Sequence, residues 1–98
     1  MENLFQQLDK AFDNKTRLGI MSVLSVNSSA SFNHLKEVLE ITDGNLASHL
    51  KSLENAGYIT VKKRFKNRKP HTRYEITPAG TKAFDLHLKT LEKIIQQL

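Results

Sequence analysis

Twelve consecutive residues, Lys62 to Arg73 (KKRFKNRKPHTR), hold seven of the chain's 15 Lys and Arg and not one Asp or Glu. The remainder carries eight basic and ten acidic side chains, so the formal net charge of +5 resolves into +7 in this stretch and −2 elsewhere. A cation density of this kind suits one task, the neutralisation of a polyanion. Each phosphate met by a Lys or Arg releases condensed counterions, which makes nucleic acid the partner that rewards such a stretch most. Lys62, Lys63, Arg64, Lys66, Arg68, Lys69, His71 and Arg73 are the candidate contacts; phosphate is the favoured target, and residues near the tip, Asn67 to His71, could instead enter a minor groove, where narrow A·T tracts favour Arg. Like charges facing one another across paired strands are destabilising, so a merely solvated charge run is the poorer reading.

A second set lies just upstream. On a helical wheel of about 100° per residue, Leu46, Leu50 and Leu53 share one side, while Gly44, Ser48, Lys51, Ser52 and Asn55 occupy the other. That outer face holds no acid. Asn can pair bidentately with adenine, Ser donates or accepts, and Lys reaches guanine or phosphate. Asn45 sits at the face's N-terminal edge, where a helix in a major groove meets bases. Gly44, Asn45, Ser48, His49, Lys51 and Ser52 are therefore the candidate readers. His49 lies roughly 60° from the centre of the apolar stripe on the same wheel, a position for a packed, partly satisfied imidazole or for a phosphate contact. The bland alternative, a solvated helix face, loses ground because the basic stretch follows at once.

Other chemistry is excluded by what the sequence lacks. It contains no Cys, which removes disulfides, thiolate nucleophiles and cysteine-based metal sites. His34, His49, His71 and His87 form no i, i+4 pair, so no zinc site is expected. There is no Gly-rich phosphate loop, nucleophile elbow or HExxH, and the acids are scattered singly. Neither catalysis nor a cofactor is expected.

These residues need elements to hold them. A chain of 98 residues with 39% apolar and 26% charged residues makes one domain around one core, here taken as residues 1–98. Leu4, Phe5, Leu8 and Phe12 predict a first amphipathic helix, and Leu18, Ile20, Met21, Val23 and Leu24 a second over about 16–26. Ser31 caps a third over about 32–39, with Phe32, Leu35, Val38 and Leu39 inward. Thr42, Asp43 and Gly44 open the reading helix, about 43–56, and Gly57 stops it. The period then falls to two. Ile59, Val61 and Phe65 alternate with Thr60, Lys62, Arg64 and Lys66, Asn67 to Pro70 turn the chain, and Tyr74 with Ile76 return it, which makes the basic stretch a hairpin over about 58–77.

Thr77 and Pro78 start a last helix, about 78–98. In it Phe84, Leu88, Leu91, Ile95 and Leu98 follow a heptad stripe with Ile94 beside it, maintained to the last residue. A small domain cannot cover such a stripe, so a homodimer is expected, with Phe5 and Leu8 adding to the interface. The opening MENLFQQLDKAF lacks a signal peptide's apolar run, and no stretch approaches the roughly 20 apolar residues of a membrane span. A cytoplasmic protein without membrane contact is expected.

The order of elements reads as mainly α with a small β-hairpin wing (α+β): a winged helix-turn-helix with a three-helix core, a two-stranded antiparallel wing and a C-terminal dimerisation helix. ITDGNLASHLKSLENAGYITVKKRFKNRKPHTRYEITPAGTKAF, with LDKAFDNKTRLGIMSVL upstream, resembles the winged helix transcriptional regulators of bacteria and archaea, close to the MarR and ArsR groups. The most specific parts are HLKSLENAGYI, YEITPAG and the basic wing between them. The resemblance implies a homodimer on pseudo-palindromic double-stranded DNA, usually a repressor, with the recognition helix in the major groove and the wing on flanking backbone. By position it implies base contacts from Gly44, Asn45, Ser48 and Ser52 and wing-tip contacts from Arg68 and Lys69. Metal-sensing ArsR relatives use a cysteine pair, absent here, or Asp and His pairs in the last helix, of which Asp85 and His87 supply the first half. A small-molecule effector is unknown from the sequence. An interaction module on an acidic protein and a double-stranded RNA binder are the rival readings.

Overall fold

The computed structural model describes residues 3–98. Helix α1 (Lys15–Asn27) begins where the Asn14 side chain accepts from the N–H groups of Thr16 and Arg17, and it buries Ile20, Met21 and Leu24 completely. Ser28, at φ 68°, ends it and turns the chain into strand β1 (Ser29–Ser31). The Ser31 hydroxyl then caps α2 (Phe32–Leu39) by accepting from His34 N–H at 3.0 Å. Thr42 does the same for α3 (Asp43–Asn55), accepting from Asn45 N–H at 3.2 Å. Helix α3 buries Leu46, Leu50 and Leu53. Their i, i+4, i+7 spacing sets one stripe against the core and leaves the opposite side to solvent.

Strands β2 (Ile59–Lys66) and β3 (Lys69–Ile76) form the hairpin, and β3 lies between β2 and β1 in a three-stranded antiparallel sheet. The expected two-stranded wing thus gains a third strand. Ser29–Ser31 is too short to show a period, and its pairing with Arg73–Glu75 spans more than forty residues, so nothing local announces it. The hairpin also turns tighter than expected: only Asn67 and Arg68 lie between the strands, at φ 54° and 63°, the signature of a two-residue type I′ turn. Pro70 therefore stands inside β3, opposite Phe65. In such a hairpin this is a non-hydrogen-bonded pair whose N–H groups point away from each other, and β1 does not reach that far, so the missing proline N–H breaks no ladder bond.

The first helix expected over Leu4–Phe12 is instead two 3-10 turns, Leu4–Gln7 and Lys10–Phe12, separated by extended backbone at Leu8 and Asp9. Tertiary bonding at Asp9 overrides the local period. Its N–H donates to His87 Nδ1 at 3.1 Å, one carboxylate oxygen accepts from the Tyr58 hydroxyl at 2.5 Å, and the other accepts from Ala11 N–H at 2.9 Å. The hydrogen bond to Asp9 pushes the Tyr58 pKa above the ordinary tyrosine value, helped by burial. This anchor delivers Phe12 into the core against Tyr58, Phe84 and His87.

Helix α4 (Pro78–Gln97) starts on Thr77, whose hydroxyl oxygen accepts from Gly80 N–H at 2.9 Å while its proton goes to the Gly57 carbonyl at 2.7 Å. Gly80 is pressed against the Tyr58 backbone: a Cβ there would stand 2.1 Å from the Tyr58 carbonyl oxygen. Gly80→Ala is therefore expected to lower folding stability by about 1–3 kcal/mol, as overpacking does, seen as a lower denaturation midpoint with unchanged slope. An unaltered midpoint would show that α4 shifts freely.

Candidate nucleic-acid interface

Helix α3 presents Gly44, Asn45, Ser48, Lys51 and Ser52 to solvent. The one acid at its N-terminal end, Asp43, is engaged by Lys36 of α2 at 2.7 Å. That contact was invisible in the sequence, since nothing in the spacing of residues 36 and 43 fixes how α2 and α3 cross. Lys51 stands 3.5 Å from Glu54, an exposed pair of the kind that adds little and leaves the ammonium free to turn toward a phosphate. His49 is half-buried, and its Nδ1 accepts from the Arg17 guanidinium at 3.1 Å, which leaves the ring proton on Nε2. The ring is thus packed and partly satisfied by Arg17. Arg17 is fixed in turn by donating from Nε to the Ala11 carbonyl at 2.6 Å.

The wing's charges sort by strand pairing. Lys62 stands opposite Arg73, Arg64 opposite His71, and Lys66 opposite Lys69, all on one face. Lys63, opposite Thr72, points to the other face together with Val61, Tyr74, Phe65 and Pro70. Arg73 is tied to the body of the sheet, donating to the Ser29 hydroxyl of β1 at 3.1 Å. Among the described residues the ion pairs are Lys36–Asp43, Lys51–Glu54 and Lys89–Asp85, none of them in the wing. Among the described residues the cation array therefore has no ion-pair partner, with like charges opposite one another at Lys62–Arg73 and Lys66–Lys69.

Arg68 adds a backbone signal. At the second turn position, where a type I′ turn favours Gly, a left-handed arginine is strained by something on the order of 1 kcal/mol. The strand pairing on either side imposes that cost and keeps Arg68 at the apex. Only the turn's observed length exposes this, because the wider turn read from the sequence left Arg68 unconstrained.

The expected dimer-forming residues divide. Phe84 is only 5% exposed, its ring meeting Phe12 edge-on at 5.4 Å, so the domain's own core claims it. Leu8 and Ile94 are half-buried. Phe5, Leu88, Leu91, Ile95 and Leu98 stand exposed, and no residue of α4 beyond Thr90 is buried. Among the described residues no group of three or more His, Cys, Asp or Glu could hold a metal ion, and no helix is long and apolar enough to cross a membrane.

Comparison with known proteins gives this arrangement relatives. Residues 16–95 match the family model described as winged helix DNA-binding domain. MJ0432 of Methanocaldococcus jannaschii is 40% identical over 75 residues, 76% of this chain and 82% of that protein. The structure of a transcriptional regulator homologue from Pyrococcus horikoshii superposes with a TM-score of 0.90 at 33% identity, over 98% of this chain and 97% of that one. A MarR-family transcriptional regulator structure from Enterococcus faecalis gives 0.73 at 25% identity, over 89% and 81%.

Proposed function

This chain belongs to the winged helix DNA-binding domain family, which is non-enzymatic, and from that footing we propose that it is a homodimeric, sequence-specific transcriptional regulator of the cytoplasm. It acts as a repressor by occupying its operator. Helix α3 lies in the major groove, with Asn45, Ser48 and Ser52 at base edges and Gly44 permitting close approach. Lys51 and His49 meet phosphates, and the wing lies on the flanking backbone with its tip at the minor groove. The observation that carries this reading is the wing's cation array, without ion pairs among the described residues, beside an α3 face whose two flanking acids, Asp43 and Glu54, each already face a lysine. An acidic-protein partner would be met by the wing equally well, but it gives no role to an outward row of Asn and Ser.

A second copy is the occupant argued for the exposed α4 stripe. Leu91 and Ile95 are 41% and 63% exposed beyond the last buried residue of the helix, and Phe5, 68% exposed, lies on the segment packed against α4. Two copies joined there address successive major grooves about 34 Å apart. A duplex with inverted half-sites at that spacing should bind best, well ahead of a single half-site and of an RNA duplex of the same sequence. Equal binding of the RNA duplex would replace this reading by an RNA one.

Within that complex, Asn45→Ala or Ser48→Ala is expected to cost on the order of 1–3 kcal/mol at the contacted base pair and to relax preference there. Affinities for a set of single-base operator variants check this. Equal losses on every sequence would make these residues positioners and not readers.

A further inference from the structure

Phe65 is 81% exposed, and its cross-strand partner is Pro70. The pair shares a face with Val61 and Tyr74 but is separated from them by the polar pair Lys63–Thr72, so it is no extension of the core. The opposite face of the same hairpin carries Arg64–His71 and Lys66–Lys69, and Asn67 and Arg68 form its apex. Toward its tip the wing is a ribbon with one cationic face, an apolar pair on the other face beyond Lys63–Thr72, and Arg68 at the apex.

We propose that Phe65 and Pro70 pack against the deoxyribose C–H surface lining a minor groove, as the apolar half of the wing's contact with DNA. The inference rests on the DNA-binding reading above and assigns a contact that it left out. A minor groove is roughly 7.5 Å deep, with phosphates at its rims and sugars along its walls. Along the hairpin axis, two rises of about 3.3 Å each separate the Phe65–Pro70 pair from the level of the Asn67–Arg68 apex. With the apex at the groove floor, the Phe65–Pro70 pair therefore arrives about 7 Å higher, level with the sugars. The cationic face then meets the phosphates of one strand while the apolar face rests on the sugars of the other. Water leaves both surfaces, and no counterion is released by the apolar one.

Phe65→Thr tests this, because Thr keeps a strand former in the hairpin while removing the ring. Affinity for an inverted-repeat duplex is measured across a salt series, with hydroxyl-radical footprinting to report accessibility of minor-groove sugars. The expected result is a loss of about tenfold at every salt concentration with an unchanged salt slope. Sugars flanking the half-sites should lose protection, and Phe65→Tyr should restore both readouts. Unchanged affinity and footprint in Phe65→Thr, or a loss that Phe65→Tyr fails to restore, would overturn the proposal while leaving the DNA-binding reading intact. Absence of duplex binding by the unaltered protein would instead remove the reading on which it rests.

Discussion

Leu91→Glu combined with Ile95→Glu is expected to leave the chain folded, make it monomeric, and weaken binding to an inverted-repeat duplex by 10² to 10⁴. Both side chains lie beyond Thr90, the last buried residue of α4, so removing them opens no cavity in the domain. In the proposed dimer, each apolar side chain taken out of the interface forfeits its burial, and two carboxylates per protomer face one another in its place. The loss on DNA follows from linkage: once one half-site is bound, the second copy acts at a high effective concentration, and a monomer forgoes that gain. Sedimentation, thermal unfolding and duplex titration together decide the matter. A double variant that stays dimeric places the dimer contact elsewhere, and a monomer with undiminished affinity removes the dimer from the DNA-binding mechanism.

Arg68→Ala with Lys69→Ala is the second large effect. Neither side chain has an ion-pair partner within the described residues, so their removal should spare the fold. If each neutralises one phosphate, log affinity falls with log salt less steeply by about 0.9 per lost contact, or about 3.6 for a dimer losing two per protomer. The variant should thus be most impaired at low salt and converge on the unaltered protein as salt rises. Replacing Arg68 by Gly separates charge from backbone strain, since Gly accepts the left-handed apex without penalty. A slope unmoved by either change would take the wing off the backbone.

The hairpin was legible because strand alternation and charge act over neighbouring residues. Ile59, Val61, Tyr74 and Ile76 keep a period of two around the acid-free run from Lys62 to Arg73. The caps at Ser31, Thr42 and Thr77 were equally local, each a short side chain one turn ahead of an N–H it can satisfy. The stripe of Leu46, Leu50 and Leu53 marked the buried side of α3 and so, by elimination, the outer one. The missed features share a cause in long-range partners. β1 exists only because β3 lies beside it, and the N-terminal helix broke because His87 and Tyr58 hold Asp9 in an extended conformation. Phe84 fits the heptad as well as Leu88 does, and only the packing of Phe12 shows that the core takes it first.

The sequence by itself therefore determined the order of helices and strands, the outward face of α3 and the concentration of positive charge, since periodicity, capping and Coulomb repulsion are set by residues close along the chain. Tertiary structure alone decided which face of the ribbon each cation occupies, that Arg68 stands strained at its apex, that Lys36 holds Asp43, and where along α4 the domain ends and an uncovered surface begins. Those outcomes depend on strand register and on contacts between residues distant in the chain, and the free energy of such contacts is defined only once the whole core has closed.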